Sequence, residues 1–283
     1  MLVNAYKPPH TVALLAGVLL TSKVAIVQLD RDARASLKQA LDLIGNHSDL
    51  NKGNRAVVVK VGVFSHKGVM YPTVRVVDAI ISNFNNAQKI FLAESDNYRG
   101  TGLERLQVYR KLFENRVVPF NLSTDTETRK VKIAGEEMEF SHVLFKPNVF
   151  ISTHALRRYD KGTILKNLFG LIPERKKARF HKKLVAVLLD AYEAIGGIDL
   201  AVIDATRTYL GPAARKGINT NVLVVGRDAV AVEAVGATLT GLKPEKMPVI
   251  QEAMKRGLGE AKIERIEVVG NSIESLKERF QHP

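Results

Sequence analysis

The sequence predicts an α/β fold with a mainly parallel sheet and helices on both faces. Three observations carry this. Short runs rich in Val and Ile recur along the chain, and most are apolar at every position, as in strands covered on two sides. Segments of helical periodicity alternate with them. No internal repeat of about 20 to 50 residues and no low-complexity linker breaks the alternation.

The strand candidates are Ala56–Val61, Lys89–Ala93, Val117–Leu122, Val143–Phe145, Val149–Ile151, Leu200–Ile203, Val222–Val225 and Ile266–Val269. Pro72 opens a helix in which Val74, Val77, Ile81 and Phe84 recur at steps of three and four. Thr101 and Glu104 form a capping-box pair ahead of Leu103, Leu106, Tyr109 and Phe113. Leu184, Leu188, Tyr192 and Ile195 make a stripe that stops at Gly196-Gly197. Asp228 can cap a helix running to Gly241, and Pro248 starts another that ends near Gly257. Asn271 and Glu274 predict the cap of a last helix carrying Leu276 and Phe280. A hairpin insertion is expected around 130–145, with Lys130–Ala134 and Met138–Phe145 folded about Gly135. The chain, 1–283, reads as one α/β domain, its core at about 55–241 and its flanks, 1–54 and 242–283, packed as extensions.

With 283 residues, 46% of them hydrophobic, the chain has material for a large core, which excludes a disordered chain or a collagen-like fibre. Cysteine is absent, so disulfides, thiolate zinc sites, cysteine nucleophiles and cysteine-ligated iron–sulfur clusters are excluded. A divalent metal or a nickel cofactor would have to rest on His, Asp, Glu or backbone groups. Thr11–Leu20 is far shorter than the roughly 20 apolar residues a membrane helix needs, and it reads as a buried helix or strand. No membrane partner and a cytoplasmic location are expected.

Lys and Arg number 42 against 29 Asp and Glu, a net charge of +13. Much of the excess falls in Glu174–Lys183 (ERKKARFHKK). That run is either a solvated surface or an anion site for phosphate, carboxylate or nucleic acid. A composition rich in Lys, Arg and Glu is also what thermophilic proteins favour, in which case the charge says nothing about a ligand.

Ionisable residues gather at the ends of the candidate strands. Lys60 sits in the first, which leads to Ser65-His66. The second leads to Glu94, the fourth to Lys146 and the fifth to Ser152-Thr153-His154. Leu200–Ile203 leads to Asp204, and Val222–Val225 to Gly226-Arg227-Asp228. In open α/β sheets ligands bind beyond the carboxyl ends of the strands, so parallel strands would gather these groups at one mouth. The plainer reading is that loops are polar, that Asp228 is a helix cap and that His66 is a loop residue. Lys166 and Asn167 interrupt the apolar stretch Ile164, Leu165, Leu168, Phe169. A buried lysine without a partner loses its proton readily and serves as a base or nucleophile. His181 is expected at a helix start, where the dipole favours the neutral imidazole that accepts a proton or binds a metal.

At this segment the chain resembles the family known as domain of unknown function 362. The resemblance rests on His154 after an apolar strand, LKNLFGLIP at 165–173, His181, LAVIDA at 200–205, Gly211-Pro212 with Gly217 after it, and VVGRDAVAVEAVGA at 224–237. The Val58–Lys60 strand and FLAES at 91–95 also match. The resemblance implies an α/β protein of bacteria and archaea. Some members carry ferredoxin-like cluster domains, which a chain without cysteine cannot reproduce. Glu233 stands where the family often has Asp, which keeps the charge. The order His154, Lys166, His181 is also similar to that of the nickel-pincer lactate racemases. There the lysine carries the cofactor and histidines bind nickel or move protons.

Two functions are expected in consequence. One is an enzyme or cofactor-binding protein for a small anionic molecule, with His154, Lys166, His181 and Asp204 as catalytic groups. Lys60, His66, Glu94, Lys146, Asn167, Gly211, Gly217, Arg227 and Asp228 would then contact the ligand. The other is a nucleic-acid-binding protein that uses its basic surface. Low aromatic content and the lack of tryptophan weigh against it.

Overall fold

The computed structural model describes residues 22–211, 214 and 216–280; the segment Thr11–Leu20 and Pro212 lie outside the described residues. Among the described residues ten strands form, in chain order. They are β1 (Ser22–Gln28), β2 (Ala56–Val61), β3 (Ile90–Glu94), β4 (Val117–Asn121), β5 (Thr128–Ile133), β6 (Glu136–Ser141), β7 (Asn148–Arg157), β8 (Leu200–Tyr209), β9 (Ile218–Gly226) and β10 (Ile266–Gly270). The helices are α1 (Ala33–Leu43), α2 (Val74–Asn83), α3 (Gly102–Leu106), α4 (Ile164–Asn167), α5 (Leu184–Ala194), α6 (Ala229–Leu239), α7 (Pro248–Lys255) and α8 (Ile273–Leu276).

Eight strands make one sheet in the order β10-β1-β9-β8-β7-β2-β3-β4. All neighbours are parallel except β9, which runs antiparallel to both β1 and β8. The sheet is therefore mainly parallel, as the sequence predicts. Strand residues alternate between two cores. Val57, Val59, Ile90, Leu92, Val149 and Ile151 face one side with residues of α1 and α2. Val58, Ala93, Phe150, Ala201, Ile203 and Val224 face the other with residues of α4 to α7.

Local chemistry accounts for the helix boundaries. The Thr101 side chain accepts from Glu104 N and the Glu104 carboxylate accepts from Thr101 N, a complete capping box on α3. Asp228 accepts from Val230 N and Ala231 N at the start of α6. The cap of α8 is Ser272, accepting from Ser275 N, because Asn271 is occupied with Ile26 O of β1.

Three departures from the sequence reading have clear causes. The first concerns Val143–Phe145, expected as a strand; it lies at the three-residue 3-10 turn His142–Leu144. Pro147 follows it, and Asn148 Nδ2 donates to Val143 O and Lys146 O, curling the link into β7. Second, β1 and α1 come from the flank expected as an extension, yet β1 lies inside the main sheet between β9 and β10. Third, β9 returns from β8 through a short loop with no room for a crossover, so its carboxyl end faces the opposite rim. The expected hairpin forms from β5 and β6 beside the main sheet.

Candidate functional site

Chain connections diverge at the centre of the sheet. From β2 the chain moves outward to β3 and β4, and from β7 it moves the other way, to β8. The crevice beyond the carboxyl ends of β2 and β7 is thus a topological switch point, where open α/β sheets bind ligands. A cavity of about 320 Å³ opens there. Among its lining residues are Lys60, Glu94, His154, Lys166, Asn167 and His181. Distant segments deliver them because Lys60 pairs with Ser152 in the β2–β7 register, and His154 follows two residues later on the same face.

The floor is a buried ion-pair network. Lys60 Nζ donates to Glu94 Oε1 at 2.7 Å and to Asn167 Oδ1 at 3.0 Å. Glu94 also accepts from Val63 N at 2.8 Å and from Arg105 Nη1 at 3.2 Å. Burial pushes the Lys60 ammonium below the usual lysine range, opposed by Glu94. Asn167 Nδ2 faces Lys60 O, Ser152 Oγ and Thr153 O, so this amide clips α4 across the ends of β2 and β7. Gly170 packs against Lys60; a Cβ there would lie 2.6 Å from Nζ.

The reactive groups lie above this floor. His154 is buried, and its Nδ1 lies 2.8 Å from Ala155 O. A carbonyl only accepts, so Nδ1 carries the hydrogen and Nε2 keeps its lone pair. Burial, then the Arg157 charge, hold the imidazole well below the usual histidine range, so it is neutral near pH 7. Gly62 leaves room for this ring, since a Cβ there would lie 1.8 Å from His154 Cδ2.

Lys166 makes no hydrogen bond or ion pair among the described residues. Its Nζ sits 3.8 Å from the centre of the Phe169 ring. Burial, then the charges of Arg157, Lys161 and Lys60, bring its pKa down to about 7; the ring face acts in the opposite sense. Lys177, also at about 7 through burial, donates to Ser95 Oγ. Arg157, turned by a bulge that shifts the β7–β8 register, has a buried Nε without a partner among the described residues. His181 is exposed at the rim, packed on Phe169 with ring centres 5.0 Å apart.

Lys60, Arg105, Arg157, Lys166, Arg175 and Lys177 line the cavity against the single carboxylate of Glu94. Such a site favours an anion. Phe64 and Tyr98 flank it, 49% and 63% exposed, too open for core residues.

The remaining sequence candidates lie elsewhere. Asp204 is buried, accepting from Thr73 N at 2.6 Å, Thr73 Oγ1 at 2.7 Å and Thr206 N at 2.8 Å. It ties β8 to the start of α2 and does not line the cavity. His66 lies in the loop after Phe64, outside the lining. Lys146 pairs with Glu127 on the hairpin at 2.6 Å. Gly211 and Gly217 belong to the β8–β9 connection, where Gly217 packs on Arg207 and Tyr209. The reversal of β9 carries Arg227 and Asp228 to the far rim, where Arg227 pairs with Asp49 and Asp228 caps α6.

Sequence reasoning does not single out Lys177, Arg105, Arg157, Arg175 or Glu233 as site residues. Glu233 Oε1 and Oε2 accept from Thr163 N at 2.7 Å and Leu165 N at 2.8 Å, holding the first turn of α4 and with it Lys166. Its acidic place in the 224–237 motif is the available signal, and the Glu174–Lys183 run is the signal for Lys177 and Arg175. That run divides in three dimensions. Lys177 turns inward, while Arg179 pairs with Glu136 and Glu174 on the surface.

Among the described residues no group of three or more His, Asp or Glu is placed to hold a metal ion. Among the described residues no helix is long and apolar enough to cross a membrane. A comparison with curated proteins finds no match. The family model described as "Domain of unknown function (DUF362)" matches residues 57–238, from the start of β2 to the end of α6. That span takes in every residue lining the switch-point cavity, and the chain belongs to this family.

Proposed function

We propose that the chain is an enzyme for a small anionic substrate, a carboxylate or phosphate, bound in the switch-point cavity and processed by proton transfer. One observation carries this reading: Lys166 and Arg157 line the cavity with no carboxylate partner among the described residues, beside a histidine fixed with a free Nε2. Arg157 and Lys177 hold the anion, since charge-assisted hydrogen bonds to a buried oxyanion are strong. His154 Nε2 and the Lys166 amine are the acid–base pair. A bound anion raises the basicity of both, because it offsets the cationic field that depresses them.

Isothermal titration calorimetry at low salt, with inorganic phosphate and with oxalate, tests it. The wild type should bind at least one of them. Arg157→Gln and Lys166→Met should weaken that binding by about tenfold or more, the equivalent of one charge-assisted hydrogen bond. Arg179→Gln, on the paired outer surface, should leave it unchanged. No binding by the wild type, or wild-type affinity in both cavity variants, overturns the proposal. The nucleic-acid reading has less support, because Arg179 and Lys183 lie against Glu136 and so interrupt the outer basic run.

A further inference from the structure

Two lysines line the cavity besides Lys60, and their surroundings differ. Lys177 Nζ is committed to Ser95 Oγ. Lys166 Nζ touches only the face of Phe169, with no acceptor among the described residues. The charges of Arg157, Lys161 and Lys60 act on it, and it makes no ion pair with a carboxylate among the described residues. An amine so placed is a nucleophile, because neither a hydrogen bond nor an ion pair holds its lone pair or fixes its proton. In the same cavity Arg157, with its Nε lacking a hydrogen-bond partner among the described residues and its guanidinium 5.3 Å from the centre of the Tyr159 ring, suits a carboxylate.

We infer that Lys166 forms an imine with a 2-oxo carboxylate, whose carboxylate Arg157 holds and whose carbonyl carbon lies against Nζ. The inference rests on the anion-site reading and names its substrate class. The neutral amine attacks the carbonyl carbon, forming the C–N bond while the C=O electron pair moves to oxygen. One nitrogen proton passes to that oxygen, which leaves as water after a second protonation, and the C=N bond closes. Amine and 2-oxo acid give imine and water, with no oxidant or reductant required. His154 Nε2, with its lone pair free, takes the nitrogen proton and returns it to the departing hydroxyl.

Reductive trapping tests this. The full chain is incubated at pH 7.5 with pyruvate and cyanoborohydride, then digested and mapped by mass spectrometry. With its pKa at about 7, Lys166 is largely free amine at this pH, whereas an ordinary lysine is about 0.1% free amine. The reduced pyruvate adduct should therefore accumulate on Lys166 on the order of 100-fold faster than on exposed lysines. Lys166→Arg should abolish that adduct. Labelling of Lys166 no faster than of surface lysines, or labelling of Lys177 in its place, overturns the inference. Calorimetry with oxamate, which has the shape of pyruvate but does not form imines, separates the two failures. Oxamate binding without trapping refutes the imine alone, and absence of both refutes the anion site as well. Should Lys166→Arg fail to fold, the wild-type peptide map decides by itself.

Discussion

Replacing Glu94 by Gln keeps the shape of the cavity floor and removes its only carboxylate. Lys60 and Glu94 side chains are 1% and 3% exposed with 2.7 Å between charged atoms, so water cannot compensate. Arg105, also buried, shares that carboxylate at 3.2 Å. Breaking a buried pair from one side costs about 3–5 kcal/mol. The loss here should sit near the lower bound, about 3 kcal/mol, because burial already lowers the Lys60 pKa and the lysine can shed its proton. Lys60→Met leaves Glu94 with Arg105 and Val63 N, so its cost should be smaller, about 2 kcal/mol. The double variant should then be less destabilised than the sum of the singles by about 1–3 kcal/mol. Urea unfolding at pH 7 measures all three. With a slope of about 3 kcal/mol/M, Glu94→Gln moves the midpoint down by about 1 M. A Glu94→Gln loss below about 1 kcal/mol, or strict additivity in the cycle, would refute a charged, coupled pair beneath the cavity.

The same geometry sets three further outcomes. Gly62→Ala places a methyl group on the His154 ring, so it should cost about 1–3 kcal/mol and weaken phosphate binding, read by thermal unfolding and calorimetry. Glu233→Gln removes the charge that holds Thr163 N and Leu165 N, and should cost about 1–2 kcal/mol in urea while lowering phosphate affinity severalfold through the displaced Lys166. Lys166 and Lys177 titrate near 7 in the fold and near 10.5 when unfolded, so the unfolded chain binds more protons between those values. Stability should therefore rise with pH across that window, by up to about 1.4 kcal/mol per unit for each lysine. The double change Lys166→Met, Lys177→Met should flatten the slope measured between pH 7 and 9.

The alternation of apolar runs and helical stripes is enough to read the parallel core, because a strand buried on both faces leaves an unbroken Val and Ile signature. The ends of strands are less legible. The apolar run marks only Val149–Ile151, yet β7 continues through Ser152, Thr153 and His154 to Arg157. Part of this stretch is held by α4, which only the tertiary fold supplies: Asn167 reaches Ser152 Oγ and Thr153 O. The same extension hides Arg157 from a reading of composition. The reversal of β9 leaves no sign in its residues, since an apolar run reads alike in both directions; hence Arg227 and Asp228 are expected on one rim and found on the other. Lys166 is legible because a lone cation inside an apolar helix-forming stretch breaks the pattern.

The electrostatics of the cavity set a condition on its ligand. Folding takes Lys60, Arg105, Arg157, Lys166 and Lys177 out of full hydration around one carboxylate, with Arg175 left exposed, and Glu94 is already shared between Lys60 and Arg105. Charge burial without compensation is costly, and here the depressed pKa values of Lys166 and Lys177 show how the fold limits that cost by releasing protons. An anion reverses this. An unreactive anion such as oxalate draws Lys166 and Lys177 toward the ammonium form, so its binding takes up protons and weakens as pH rises through about 7 to 9, whereas a 2-oxo acid is attacked by the amine fraction of Lys166. A bound anion also stabilises the folded chain, with the logarithm of its concentration over its dissociation constant, by about 2.7 kcal/mol at one hundred times that constant. A neutral ligand at the same saturation stabilises the fold equally but takes up no protons, so its binding lacks this pH dependence. Charge on the ligand, more than its shape, should therefore govern what this cavity accepts. Thermal shifts with oxalate, whose charge is constant over this range, at pH 6.5 and 9 measure the difference, and equal shifts at both values would contradict the coupling.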